Sequence, residues 1–196
     1  MGQTPSAQFH HQLIQLRATL GEEHPDTLAA WRDYTTALMD EGDDKTAQPE
    51  LRQLVAACER AFGPEHPTTR SNRVDWALCL KETNLHLQAL EQYLLVADYD
   101  DGYDVRFAAV GCFIRLGCFA EATYLLHAVV RGYAKTLGDR HDLTRLARGT
   151  LVFLLAGADQ KEALVEYGCL WDVDKLPGHR PLGILADTRA LLDGIT

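Results

Sequence analysis

The chain has 196 residues, 46% hydrophobic and 24% charged, enough apolar material for one substantial core or for a stack of small units sharing one. A formal charge of −9 and an isoelectric point near 5.3 exclude a protein whose main task is to coat nucleic-acid phosphates, because that affinity comes from a basic face. No apolar run approaches the ~18 residues of a membrane span, so the chain is expected to be cytoplasmic, with no membrane and no nucleic acid among its partners.

The amino end, "MGQTPSAQFHHQ", has no basic stretch followed by an apolar one of the kind that directs secretion. It does fit the Met-Gly-x-x-x-Ser pattern of N-myristoylation, but so loose a pattern matches often by chance, and an ordinary frayed terminus is expected. A leading helix is predicted over 5–20, and Phe9, Leu13 and Ile14 on its open edge offer a surface for a homodimer or the edge of a longer array of repeats. Next comes "LGEEHPDTL", Leu20 to Leu28, which returns 42 residues later as "FGPEHPTTR", Phe62 to Arg70, and again as "LGDRHDLTR", Leu137 to Arg145. The Asp or Thr of each copy is expected to cap the helix that follows, and in the first two copies Pro blocks any helix from running through. One unit apart, His24, His66 and His141 cannot share a metal or a substrate; they mark junctions.

Between the junctions the apolar residues recur at helical period in pairs of segments, over 26–62, 68–98, 103–137 and 142–174. Each pair is split by a residue suited to the left-handed conformation that ends a helix: Gly42, Asn84, Gly117, and Ala158 with Gly157 beside it. Five or six residues further on stands a small side chain, Ala47, Ala89, Ala122 and Ala163, which lets the second helix lie close against the first. "RPLGILADTRALLDG" reads as a closing helix over 181–194, since a stack of repeats needs a polar outer face where stacking stops.

This pattern resembles the tetratricopeptide repeat family, a pair of antiparallel helices of about 34 residues per unit. The "GCFAEA" turn, Gly117 to Ala122, carries the resemblance most strongly, and Trp76, Ala77 and Leu80 with Ala109 and Phe113 add to it. The longer unit with its Leu-Gly-x-x-His-Pro-x-Thr linker is similar to the variant found in kinesin light chains. The resemblance implies an all-α, right-handed superhelical solenoid of about ten helices in a single domain, 1–196. It also implies a scaffold or adaptor that binds a protein or peptide partner in a concave groove, with peptide sensing or oligomerisation in a regulator as the alternative. In the family register Arg32, Thr36, Lys81, Phe107, Arg115, Arg145, Arg148 and Val152 resemble groove-lining residues. Guanidinium forks suit carboxylates, so acidic ligands are favoured, with Phe107, Trp31 or Trp76 supplying apolar contact.

Other constellations are weak. Five cysteines at irregular spacing contain no Cys-x-x-Cys and read as reduced, buried thiols. "DYDDGYD", Asp98 to Asp104, fails as a calcium loop: with Gly102 at the sixth position, Ala97 and Ala108 fall where the first and twelfth ligands belong. No nucleophile, dinucleotide or metalloprotease motif is present. No catalytic residue, cofactor or metal is expected; an enzyme would have to assemble an unfamiliar site from His10, His11, His127 or His179.

Overall fold

A computed structural model describes residues 4–97 and 102–156. The described residues form eight helices and no strand: α1 (Pro5–Leu20), α2 (Pro25–Asp40), α3 (Asp44–Phe62), α4 (Pro67–Glu82), α5 (His86–Ala97), α6 (Tyr103–Arg115), α7 (Phe119–Thr136) and α8 (Asp142–Leu155). They fall into two compact units, Met1–Asp101 and Gly102–Thr196, the first holding α1 to α5 and the second α6 to α8. The second helix of the fourth expected pair, the closing helix over 181–194, and the positions Gly157, Ala158, Ala163 and His179 lie outside the described residues.

The helix pairs follow from their turns. Gly42, Asn84 and Gly117 all have positive φ, +75°, +62° and +76°. That conformation closes the preceding helix by two backbone bonds of one pattern, seen for example in Gly42 N–H to the Met39 carbonyl and Asp43 N–H to that of Leu38. Asn84 does the work of glycine because its short polar side chain tolerates the left-handed region. The alanines that follow, Ala47, Ala89 and Ala122, are fully buried.

In the first unit the core gathers Leu13, Leu28, Trp31, Leu38, Leu51, Leu54 and Cys58 from α1, α2 and α3. The leading helix is thus a structural partner of α2. Glu41, past the end of α2, accepts from Ser6 N–H at 2.9 Å and from Ser6 Oγ–H at 2.6 Å, placing a carboxylate against the positive end of α1. Arg17 stacks 3.8 Å over the Trp31 ring, and Trp31 Nε1–H donates to Glu50 at 2.7 Å. Leu13, expected on an open edge, is therefore in the core and Phe9 is half-buried, leaving Ile14 exposed.

The second unit packs Val110, Leu126, Val129, Tyr133, Ala147, Leu151 and Val152 from α6, α7 and α8. Gly132 is the close point between α6 and α7: a Cβ there would stand 2.1 Å from the Tyr103 ring. Tyr133 donates to the Asp104 carboxylate at 2.5 Å across the same pair.

Candidate functional site

The recurring histidine is the first chemistry to place. In all three junctions its imidazole Nδ1 accepts from a backbone N–H two residues on, at 3.2 Å: His24 from Asp26, His66 from Thr68, His141 from Leu143. The histidine itself is the N-cap of α2, α4 and α8, with Pro25 and Pro67 in the first helical position. This corrects the assignment of the cap to Asp or Thr. The threonine acts instead from inside the helix: Thr69 and Thr144 donate back to the carbonyls of Gly63 and Gly138, both at 2.8 Å. In the first junction the Thr27 hydroxyl is buried with no partner. Each imidazole is committed to its own helix end, as junction punctuation requires.

The eight expected groove residues divide between the units and differ in what they offer. Arg32 bonds Ser71 Oγ at 2.9 Å and pairs with Asp75 at 3.3 Å, joining α2 to α4. Burial pushes the Asp75 carboxyl above its ordinary range against the pull of that guanidinium. Lys81 pairs with its neighbour Glu82 at 3.1 Å, and Thr36 is exposed on α2. In the second unit Arg115 is exposed at the end of α6, and Arg148 holds Asp139 at 2.6 Å with its side chain 13% exposed. The remaining three are inside the packing. Val152 is fully buried, Arg145 is 1% exposed and bonds Asp142 at 3.1 Å, and Phe107 lies half-buried edge-on to Tyr133. Only the facing helix decides which flank of α8 is inner, and that flank holds Arg145 and Val152.

Two clefts open on the first unit. One, of about 460 Å³, lies between α1 and α2 and is lined by Pro5, Phe9, Asp33, Thr36, Ala37, Asp40 and Glu41. The other, of about 490 Å³, runs along α3 to α4, lined by Lys45, Gln48, Pro49, Arg52, Gln53 and Trp76. Of the three expected aromatic contacts, Trp31 is fully buried and Phe107 packs on Tyr133, whereas Trp76 walls this second cleft.

Solved structures of the same shape exist. A kinesin light chain protein of Podosopora anserina, described as having nearly identical TPR-like repeats, superposes with a TM-score of 0.75 at 21% identity, covering 86% of this chain and 84% of that one. BtubC (BKLC) from P. vanneervenii gives 0.71 at 14% identity, covering 97% and 81%. MamA of RS-1, as its ArsTM double mutant, gives 0.61 at 12%, covering 89% and 97%. The chain has the TPR-like repeat fold. No protein-family model and no curated protein matches its sequence.

Within this TPR-like fold the other candidate side chains have structural partners. His10 stacks on Tyr34 at 4.8 Å and His11 bonds Gln15 at 2.9 Å. Among the described residues no three His, Cys, Asp or Glu side chains gather as a metal site, and no helix is long and apolar enough to cross a membrane. Cys58, Cys79 and Cys112 are buried. Burial pushes the Cys79 thiol up to about 11, with Asp44 adding to it. Sequence reasoning missed Lys45, Arg52 and their cleft, because it looked for basic residues only on the first helix of each pair.

Proposed function

We propose that this chain is a non-catalytic scaffold that holds a segment of a partner protein against its helical faces. The observation that carries this reading is the fold itself: paired helices whose repeated His side chains are spent on helix junctions, with open side chains left exposed. TPR-like repeats of this kind build extended surfaces from units that each contact their neighbours.

The residues proposed to meet the partner are Arg32, Thr36 and Lys81 in the first unit and Arg115 and Arg148 in the second. Arg145 and Val152 are buried and Phe107 is half-buried against Tyr133, and the proposed surface is drawn without them. Arg32 and Lys81 sit in ion pairs whose side chains are one-third to one-half exposed. Such pairs contribute only about 0–1 kcal/mol, so a partner's carboxylate exchanges readily with Asp75 or Glu82. The acidic preference expected from the sequence is kept on that ground.

Affinity capture at moderate salt, followed by identification of the retained protein, tests the reading. A stoichiometric partner whose affinity drops a few-fold with Arg32→Glu and Lys81→Glu is expected. Retention of no protein rejects the scaffold role, and an equal affinity in the double variant rejects these contact residues.

A further inference from the structure

The cleft along α3 carries two cations that make no ion pair. Arg17, Arg32, Arg60, Arg73 and Lys81 each pair with a carboxylate. Lys45 and Arg52 line the cleft, are exposed, and make no ion pair. No carboxylate is among the lining residues, and Gln48 and Gln53 stand between and beside the two cations. The far wall is the half-buried Trp76, whose Nε1–H is buried and makes no hydrogen bond. In a chain of net charge −9, two cations without an ion pair and an aromatic wall share one cleft whose lining holds no carboxylate.

We infer that this cleft, formed by Lys45, Arg52 and Trp76, is the recognition site for an acidic segment of a protein partner. The inference rests on the scaffold reading and places an acidic segment on a cleft of α3 and α4 that none of the residues proposed above lines. Lys45 and Arg52 are seven positions apart on one helix, two turns or ~10 Å, close to the separation of carboxylates three residues apart in a polyproline II segment, which rises ~3.1 Å per residue and returns to the same face every third residue. A ligand of the form acidic-x-x-acidic therefore reaches both cations, its intervening apolar side chain lying on the Trp76 ring. Nucleic acid is the poorer fit, because its closely spaced phosphates would face the net negative charge of the rest of the molecule.

The test uses a dye-labelled octapeptide of two Glu-Leu-Ala-Glu blocks, read by fluorescence anisotropy in 50 mM salt. Saturable binding is expected, with the lysine counterpart of the peptide not binding. Lys45→Glu with Arg52→Glu should lower the affinity at least tenfold without changing helicity or melting, and Trp76→Phe should lower it a few-fold. The control Arg60→Glu with Lys135→Glu makes the same change of charge elsewhere and should leave affinity within twofold. Absence of binding, equal loss in the control pair, or tighter binding of an oligothymidylate of the same charge overturns the proposal. The two readings separate with the partner obtained by capture. If it binds the parent and the Lys45→Glu, Arg52→Glu variant equally, the cleft assignment falls and the scaffold stands; if no protein is captured, the scaffold reading is the one that fails.

Discussion

His66 Nδ1 receives the Thr68 N–H, and only an imidazole with a free lone pair on that nitrogen can do so. His66→Ala should cost about 0.5–2 kcal/mol of stability, while His66→Asp, an able cap, should recover most of the loss; chemical denaturation of the two variants measures this. Histidine was not legible as the cap because cap preferences rank Asp, Asn, Ser and Thr first, and each linker offers one of these close by. Arg145 illustrates the same difficulty for the groove. Its type suggested a ligand contact, yet it is buried beside Asp142. Arg145→Glu would place a carboxylate inside the unit next to another, so a marked fall in thermal stability is expected in place of a pure binding defect. The Cys79 thiol adds a pH dependence. Its folded value, about 11, lies above the ordinary 9.0, so the folded state keeps this proton longer than the unfolded chain does. Its contribution is complete below pH 9 and is lost as pH rises toward 11. Melting followed between pH 8 and 11 should fall less steeply in Cys79→Ala than in the parent.

At the scale of helices, packing follows from where small residues stand. Ala122 is fully buried at the start of α7. Ala122→Leu forces extra volume into the core at the start of α7 and should cost about 1–3 kcal/mol, read as a lower denaturation midpoint. This position was visible in the sequence, as were the turns at Gly42, Asn84 and Gly117, because a positive φ and a close helix contact each restrict the residue type locally. The close approach at Gly132 was not visible: what makes it necessary is the Tyr103 ring from another helix. The same limit applies to the candidate site. Helical periodicity marks an apolar stripe, but Phe107 and Val152 belong to that stripe only because Tyr133 and the rest of the core face them. Lys45 and Arg52 became informative only once it was known that they make no ion pair and share a cleft.

Among the described residues Arg32, Arg60 and Lys81 are held in exposed or half-exposed pairs, in a chain whose acids outnumber its cations by nine. Salt screens the attraction in the pairs and the repulsion among the surplus acids together. Raising salt from 50 to 500 mM should therefore move the melting temperature by no more than a few degrees, as calorimetry would show. Binding of an acidic ligand, in contrast, should weaken steeply over that range. The linkers carry a last implication. Gly63 and Gly138 share one spelling, Gly-x-x-His-x-x-Thr, in which a carbonyl, a ring nitrogen and a hydroxyl close the seam within seven consecutive residues. A seam so local travels with the DNA that encodes it. Cassettes cut at these glycines can be copied, dropped or exchanged with their own fasteners attached, so such an array can change length without any new joint having to evolve.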